Sequence, residues 1–542
     1  MTGWLPVALL AVPLLGALLL LLAPSALRPA LRTYGLILSG ITLALALVMT
    51  ATFDHGRPTR LQFTVDQPWI PGLGLRFHLG VDGISLPLIV LTALLTFLCF
   101  GYLSWGRART PSRFLGNRPR ALVFTLLVLE VGMIGTFLAL DLLLFFVFFE
   151  IVLIPMYFLI GIWGGAGRRA ASIKFILYTL LGSVVMLLGL LLVRAQTGTL
   201  DLAELAASHG AGMSRSVQIL AFVAIGVGLA VKTPMWPLHT WLPDAHTEAP
   251  TVGSVLLAGV LLKMGTYGFA RIAIPVLPEG AIAVAPWLGA FAVVGVIYGA
   301  LACLAQRDLK RMIAYSSVGH MGFVLLGFAT LTPVGINGAL FANVAHGLIT
   351  GLLFFLAGAI KDRYHTADMP SLGGGLLATM PRLGSVLTFA AIASLGLPGL
   401  AGFWGEMLAL FGAFQPASGL PRPLFLTYMV IGGLGAVLTA AYFVLMLSRV
   451  THGRPSGHAR QPAGETPDER PVAPLGSDES LAGQPTTTLE AENVQQGIDD
   501  IRSYELAAWT PLVVLILLFG LWPGLLLSLT TPAVQTLLGA LS

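Results

Sequence analysis

Long apolar runs alternate with short polar segments along nearly the whole chain. About fourteen of these runs are as long as the roughly 20 apolar residues that a helix needs to cross a hydrocarbon core. We therefore predict an all-α, polytopic membrane protein. The predicted spans are residues 4–23, 34–53, 84–104, 121–140, 141–162, 173–193, 217–238, 252–274, 282–303, 312–330, 335–360, 384–412, 423–448 and 506–530.

Two segments do not fit this pattern. Residues 54–82 contain the alternating runs LQFTV and LGLRFHLGV, separated by Pro and Gly, which predicts a small β-hairpin on the outer face. Residues 451–503 are rich in Pro, Gly, Ser, Thr and acidic residues without apolar periodicity, which predicts a largely disordered cytoplasmic loop.

Composition supports membrane insertion. Of the 542 residues, 56% are apolar and 10% are charged, whereas soluble domains carry about 25% charged residues. The net charge of +5 does not indicate nucleic-acid binding, because the basic residues are spread over loops. Cys99 and Cys303 lie within apolar runs and lack iron–sulfur spacing. The first run has no basic segment before it, so we interpret it as a retained span.

Arg and Lys are unevenly distributed between the two sets of alternate loops, one of which carries about three times as many as the other. The positive-inside rule places the richer set in the cytoplasm. With an even number of spans, both termini then lie outside the cytoplasm. We expect a multi-pass protein of a bacterial inner membrane.

Several ionisable residues fall within apolar runs, where each costs about 2.5–3.5 kcal/mol to insert. They are Glu150, Lys232, Lys263 and Glu406. One interpretation is structural, with buried ion pairs and side chains that extend to the membrane surface. We favour proton transfer, because buried ion pairs stabilise a fold poorly and a carboxylate that moves can change the protonation of a buried lysine. Glu130 is a further mid-span carboxylate whose role, structural or functional, stays open.

Two mid-span histidines lie between the Lys263 and Glu406 runs in chain order. His320 and His346 are either hydrogen-bonded packing residues or a proton relay, and we favour the relay because histidine titrates near neutral pH. Nearby hydroxyl groups offer positions for ordered water, namely those of Ser316, Ser317 and Thr350.

Helix-breaking residues recur in the two halves of the chain. Pro234 and Pro237 interrupt the run AVKTPMWPLHTWLP, and about five spans later Gly396, Pro398 and Gly399 interrupt SLGLPGLAGFWGEM. Unwound backbone survives in a membrane only where protein or water surrounds it. Breaks at corresponding places predict inverted repeats with the working site at the breaks.

The segment after the first break is rich in titratable residues. His239, Asp244, His246 and Glu248 lie in HTWLPDAHTE, which lacks the i, i+4 histidine spacing of a helical zinc site. We predict no metal site and interpret this segment as a cytoplasmic mouth for proton uptake. We interpret the charged stretch 307–311 as a solvated loop that helps to fix the topology.

Four long motifs carry a resemblance that covers most of residues 69–448. The stretches FFEIVLIPMYFLIGIWGG, VKTPMWPLHTWLPDAHTEAPT, DLKRMIAYSSVGHMGF and SLGLPGLAGFWGEM closely resemble the antiporter-like, proton-pumping subunits of respiratory complex I, the NADH–quinone oxidoreductase. Within that family the resemblance is to the subunit M, or chain 4, type. Glu406 is the discriminating residue, because the N and L types and Mrp antiporter subunits usually have lysine there.

The resemblance implies fourteen helices in two inverted five-helix repeats, with helices 7 and 12 broken. The implied organisation is 1–120 for helices 1–3, 121–274 and 282–450 for the two repeats, 451–503 for the loop and 504–542 for helix 14. The loop at 451–503 is longer than the family pattern leads us to expect. The resemblance also implies a central proton-translocating axis, which here comprises Glu150, Lys232, Lys263, His320, His346 and Glu406.

The implied function is proton translocation coupled to NADH oxidation and quinone reduction in other subunits. NADH, FMN, iron–sulfur clusters and quinone would bind those subunits, because this chain has no dinucleotide-binding glycine motif and no cysteine cluster. The implied partners are neighbouring L- and N-type subunits and the lipid bilayer. The alternatives are an Mrp-type cation/proton antiporter subunit and a purely structural membrane scaffold.

Overall fold

The structure is a computed structural model that describes residues 3–22, 30–105, 118–453 and 500–539. In this part of the chain, thirteen helices are long and apolar enough to cross a membrane. They are Trp4–Leu22, Leu31–Thr52, Ser85–Ser104, Pro119–Leu138, Leu142–Trp163, Arg168–Thr197, Arg215–Lys232, Thr251–Val276, Pro278–Leu304, Leu309–Ala329, Pro333–Tyr364, Arg422–Val450 and Ser503–Leu521.

A further span is broken into two shorter helices, Pro381–Ser394 and Ala401–Phe414. We number the spans 1–14 in chain order and count this broken pair as span 12. Span 7 is also broken, because its first helix ends at Lys232 and the helix Trp241–Glu248 continues it. The predicted polytopic all-α fold, with helices 7 and 12 broken, is confirmed.

The remaining elements are short. Strands β1 (Gln62–Ile70) and β2 (Leu75–Val81) pair antiparallel across the 3-10 turn Pro71–Leu73, which confirms the predicted hairpin. Span 5 comprises two consecutive helices, Leu142–Ile151 and Leu153–Trp163. The other helices are Leu202–Ser208, Met369–Leu372, Leu376–Thr379 and Gly524–Leu538.

Spans 5 and 10 begin in the same way. Asp141 accepts hydrogen bonds from the first turn of span 5, and its backbone pairs with that of Asp201 in a single β-bridge. Asp308 caps span 10 and pairs with Asp368, which lies the same number of residues further along. Because five membrane crossings separate the two caps, the bridges lie on opposite faces of the molecule.

We name these two faces by what they carry. The hairpin face holds β1 and β2, and the Arg76 backbone N–H there donates to Asp141. The arginine-rich face holds the Asp308 bridge together with Arg307 and Arg311. Residues 454–499, most of the predicted cytoplasmic loop, lie outside the described residues. The residue limits given above for the two repeats stay predictions.

Burial differs sharply among the spans. Spans 8, 10 and 11 are almost wholly buried, whereas spans 2, 6 and 13 expose many large apolar side chains. A helix that is apolar on all sides and buried belongs to the interior of a large or membrane-embedded protein. Lys263, His320 and His346 lie on the three buried spans, so all three side chains are held at the centre of the fold.

Candidate functional site

Lys263 lies on span 8 between two π-helical segments, Leu257–Leu261 and Phe269–Ala273. In the first segment the Leu262 N–H bonds the Leu257 carbonyl, five residues back. The altered pattern leaves the neighbouring Ala258 carbonyl able to accept a hydrogen bond from the Lys263 ammonium group. Single π-helical turns are often found at functional positions in helices, and here one provides a polar contact for a wholly buried cation.

The Lys263 ammonium group also reaches span 11. Its Nζ lies 2.7 Å from Nδ1 of His346. Since an ammonium group can only donate, Nδ1 accepts, and the ring of a neutral His346 carries its proton on Nε2. Nε2 is buried and has no hydrogen-bond partner among the described residues. The His346 ring therefore accepts on the Lys263 side and can donate on the other.

The second histidine stands beyond His346. The ring centroids of His346 and His320 are 5.6 Å apart. His320 Nδ1 lies 2.9 Å from Oε1 of Glu406, and its Nε2 lies 3.0 Å from the hydroxyl of Ser394. A cavity of about 20 Å³ is lined by His320, His346, Ser394 and Glu406, which is room for about one water molecule.

The break in span 12 sets the position of Glu406. Gly396 has a φ of +81°, and a Cβ built there would lie 3.1 Å from the second oxygen of Glu406. A glycine is required for both reasons, since other residues adopt this φ at a cost and would crowd the carboxylate. The predicted break at Gly396, Pro398 and Gly399 therefore brings unwound backbone up to the carboxylate.

Lys232 ends the first half of span 7 and is almost fully buried. Its Nζ donates to the Phe149 carbonyl at 3.4 Å and lies 4.5 Å above the centre of the Phe149 ring. The next residue, Glu150, has an Oε1 atom that is buried without a partner among the described residues. No oxygen of Glu150 lies within 4.0 Å of Lys232, although the two charges interact at longer range.

Glu150 and Lys232 do not contact Lys263. No hydrogen bond between described residues joins Lys232 to Lys263. Glu130 is isolated as well, because it is wholly buried and neither of its carboxylate oxygens has a partner in the described part of the chain. The structure thus brings together Lys263, His346, His320 and Glu406, and it leaves Glu150, Lys232 and Glu130 outside that contact chain.

His246 lies in the second half of span 7. Its ring is wholly buried and stacks on Phe354 at 4.5 Å. Neither ring nitrogen has a hydrogen-bond partner among the described residues, yet the ring is close enough to interact with the charges of both Lys310 and Lys263. His246 is therefore within electrostatic range of a lysine at the arginine-rich face and of the lysine at the centre.

The prediction that 307–311 is a solvated loop is wrong for Lys310. Asp308 caps span 10, so Leu309 and the following residues form its first turn. Lys310 is only 3% exposed and donates to the Ala249 carbonyl at 2.7 Å. The overlooked signal in the sequence is Asp308, because an aspartate often caps the first turn of a helix, which would place Lys310 within a span.

The other titratable residues after the first break have structural partners. Asp244 lies 2.7 Å from Lys174 and 3.4 Å from Arg311, and Glu248 accepts from the Gly167 N–H at 2.9 Å. His239 packs against Tyr298, 4.9 Å between ring centroids. Among the described residues, no group of three or more His, Cys, Asp or Glu side chains could hold a metal ion.

Pro234 and Pro398 lie where they were predicted, in the breaks of spans 7 and 12. The three serine and threonine hydroxyls near the histidines are bonded to the protein. Ser316 and Ser317 donate to the Ile313 carbonyl, and Thr350 donates to the His346 carbonyl. Two hydroxyls contact the relay histidines. That of Thr350 lies 3.0 Å from His346 Nδ1, and that of Ser394, which the sequence did not indicate, lies 3.0 Å from His320 Nε2.

Two buried ion pairs on the hairpin face were also missed. His78 of β2 lies 2.6 Å from Asp201, and Arg271 of span 8 lies 2.6 Å from Asp82. Burial raises the pKa of Asp201, but hydrogen bonds from His78 and from backbone N–H groups outweigh it, so the pKa is lowered. These pairs join residues far apart in the chain, and no local pattern marks them.

Comparisons with known proteins agree with this geometry. Residues 139–432, more than half of the chain, match the family described as NADH:quinone oxidoreductase/Mrp antiporter, TM. The chain is 39% identical to subunit M of NADH-quinone oxidoreductase from Rhodobacter capsulatus, over 92% of this chain and 88% of that protein. It is 41% identical to NADH-ubiquinone oxidoreductase chain 4 from Arabidopsis thaliana, over 81% and 85% of the two chains.

Two solved structures share the fold. A chain of respiratory complex I from Thermus thermophilus with bound NADH has a TM-score of 0.81 and 29% identity, covering 99% of this chain and 100% of that one. A chain of the Mrp complex from Dietzia has a TM-score of 0.78, 23% identity, and coverage of 99% and 98%. The Mrp likeness shows the fold alone.

The chain therefore belongs to the NADH:quinone oxidoreductase/Mrp antiporter family of membrane subunits. Within this family it is a complex I antiporter-like subunit of the subunit M, or chain 4, type. The resemblance identified from the four motifs is thus confirmed.

Proposed function

We propose that this chain carries protons through the membrane arm of a NADH–quinone oxidoreductase along the row Lys263, His346, His320 and Glu406. The observation that carries the proposal is the contact of Lys263 with His346 and of His320 with Glu406, on buried helices that pack together. Each group in this row can both gain and lose a proton, and only a small gap separates the two contacts.

A single water molecule is sufficient to close that gap. The cavity of about 20 Å³ lies between the two histidines and touches Glu406. A water held there can accept from His346 Nε2 and donate towards Glu406, which would complete a continuous hydrogen-bonded route. His320 contributes to this route by its Nδ1 contact with the Glu406 carboxylate, which holds the proton acceptor in place. Release of the proton from Glu406 then leaves His346 ready to accept the next proton from Lys263.

We further propose that protons reach Lys263 from the arginine-rich face through His246. The imidazole is buried and interacts with the charges of both Lys310 and Lys263. Its two nitrogens, which have no partner among the described residues, allow it to take a proton on one side and release it on the other. His246 belongs to the segment after the first break that the sequence predicts as a mouth for proton uptake. The position of His246 favours a route that reaches Lys263 directly.

In this scheme Glu150 and Lys232 modulate transfer and do not conduct the proton. The two side chains are held apart, and Lys232 rests on the Phe149 ring and carbonyl. Movement of the carboxylate towards the ammonium group would stabilise its charged form and change the potential felt by the centre of the fold. Such a shift provides coupling to a neighbouring subunit.

We also propose a place for this chain in the complex and in the membrane. The partners are other membrane subunits of the complex, including L and N types, and the arginine-rich face is cytoplasmic, with both termini on the opposite side. NADH oxidation, FMN, the iron–sulfur clusters and quinone reduction belong to other subunits, and this chain performs no redox chemistry. The host membrane is a bacterial inner membrane.

Replacement of Glu406 by Gln tests the proposal most directly. The amide keeps the shape and can still bond to His320, but it cannot take up the proton. In the assembled complex reconstituted into vesicles, we expect NADH-driven acidification to fall at least about tenfold. Lys174→Met, which removes a charge outside the row, is the matched control.

Undiminished acidification by a fully assembled Glu406→Gln complex would refute the proposed route and favour a scaffold role. Assembly is checked by the presence of this chain, in its wild-type amount, in the purified intact complex, since a subunit lost from the membrane arm must not be mistaken for a blocked proton path.

A further inference from the structure

A large cavity opens at the arginine-rich face, and none of the residues proposed to carry protons lines it. Its volume is about 820 Å³, and spans 3, 4, 5, 6, 7, 8, 10 and 11 contribute to its wall. The cationic residues that line it outnumber the acidic ones by five to two. The cations are Arg118, Arg168, Arg169, Lys310 and Lys361, and the acids are Glu248 and Asp362.

The two acidic groups already have other partners. Glu248 accepts from the Gly167 N–H at 2.9 Å, where it caps the start of span 6. Asp362 accepts from the Tyr102 hydroxyl at 3.4 Å. The wall therefore presents an excess of positive charge to whatever fills the cavity.

Lys310 indicates that this cavity binds a ligand. Its side chain is 97% buried, and of its three N–H donors one is taken by the Ala249 carbonyl, while no other hydrogen bond from Nζ is recorded within the described residues. The indole N–H of Trp163, which also lines the cavity, is buried without an acceptor in the same part of the chain. Buried donors without acceptors are costly, so both point to a ligand with several oxygen acceptors.

The apolar part of the cavity wall favours one kind of anion over another. Leu103, Leu122, Ile162 and Val252 line the cavity beside the cations. A free phosphate would leave this apolar surface exposed to water, whereas the glycerol backbone and first methylene groups of a lipid would cover it. Basic pockets between spans at one face of a membrane are suited to anionic lipid headgroups.

We propose that this cavity binds the phosphate headgroup of an anionic phospholipid, with Lys310 deep inside and Arg168 and Lys361 nearer the opening. Binding does not require proton translocation. The bound phosphate would place a fixed negative charge beside Lys310, and thus next to His246 at the start of the proposed proton route.

The test uses the purified, assembled complex in phosphatidylcholine nanodiscs without NADH. Photoactivatable phosphatidylglycerol and phosphatidylcholine are added at equal mole fraction, and labelled peptides are mapped by mass spectrometry. We expect the anionic probe to label the cavity peptides, and we expect that labelling to fall about tenfold in the double variant Arg168→Gln, Lys361→Gln. Arg307→Gln is the matched control, since Arg307 is a 73% exposed arginine of the same face outside the cavity wall.

Equal labelling of the wild type, the double variant and the control would overturn the proposal. So would equal labelling by the two probes, or displacement of the anionic probe by millimolar inorganic phosphate, which would identify a free-anion site. These readouts are independent of pumping. Intact cavity labelling together with normal pumping by the Glu406→Gln complex refutes the proton route alone. Absent cavity labelling of the wild-type complex together with impaired pumping by Glu406→Gln refutes the lipid site alone.

Discussion

Two groups of charges lie beside matching caps and helix breaks but are arranged differently. In spans 5 and 7, Glu150 and Lys232 lie near one another without direct contact. In spans 8, 10, 11 and 12, Lys263 contacts His346, and His320 contacts Glu406. Separated charges are suited to switching, because a small movement changes their interaction, whereas groups in contact are suited to conduction.

The likeness of the scaffolds makes this difference informative. Spans 5 and 10 share the capping aspartate and the β-bridge to a second aspartate. At the corresponding breaks, however, span 7 ends its first half in Lys232, whereas span 12 brings Gly396 against Glu406. Similar backbone structures thus support two different functions, switching at Glu150 and Lys232 and conduction from Lys263 to Glu406. The following variants test this difference.

Lys263→Met should have the largest effect. It removes the ammonium group that contacts His346 while it keeps a buried side chain of similar length. We expect NADH-driven acidification by reconstituted complex to fall at least about tenfold, since a positioned proton donor is lost. A complex that pumps within about twofold of wild type would exclude Lys263 from the path.

Glu150→Gln should have an intermediate effect. The amide removes the charge that acts on Lys232 but leaves the conducting row intact. We expect acidification to fall about fivefold, at the lower end of typical coupling between sites. A loss as complete as that of Lys263→Met would show that Glu150 and Lys232 belong to the conducting path as well, and would erase the distinction between the two groups of charges.

Ser394→Ala should have a smaller effect. It removes the hydroxyl that holds Nε2 of His320 at 3.0 Å while Glu406 still holds Nδ1. We expect acidification to fall about threefold, which corresponds to one ordinary hydrogen bond. Ser528→Ala, at an exposed serine, is the control, and equal rates in the two variants would count against a positioning role for Ser394.

Asp201→Asn should leave pumping unchanged and lower only stability. The amide can still cap the helix Leu202–Ser208 but loses the charge opposite His78. By thermal unfolding at neutral pH we expect the midpoint to fall by about 1–3 °C. Because the pKa of Asp201 is lowered, its stabilisation is present above the ordinary carboxyl value of 3.8 and is lost as the pH falls below it. Asp66→Asn, at an exposed pair, should shift the midpoint less.

Much of this molecule could be predicted because its signals are local. A run of apolar residues or an ionisable residue within it is visible in the sequence itself, so the spans, the hairpin, both broken helices and the fold class were found. The reading of 307–311 as a loop failed because a charged stretch can also begin a buried helix, as Asp308 and Lys310 do here.

The sequence by itself determined that Glu150, Lys232, Lys263 and Glu406 are confined to the membrane, because each one interrupts a run that must be apolar to insert. Only the tertiary structure decided which of these groups touch. Lys263 meets His346, and His320 meets Glu406, across separations of more than 80 residues in the chain, whereas Glu150 and Lys232 stay apart. Contact depends on how the buried spans pack and where two of them unwind, and no periodicity within a single helix encodes that arrangement.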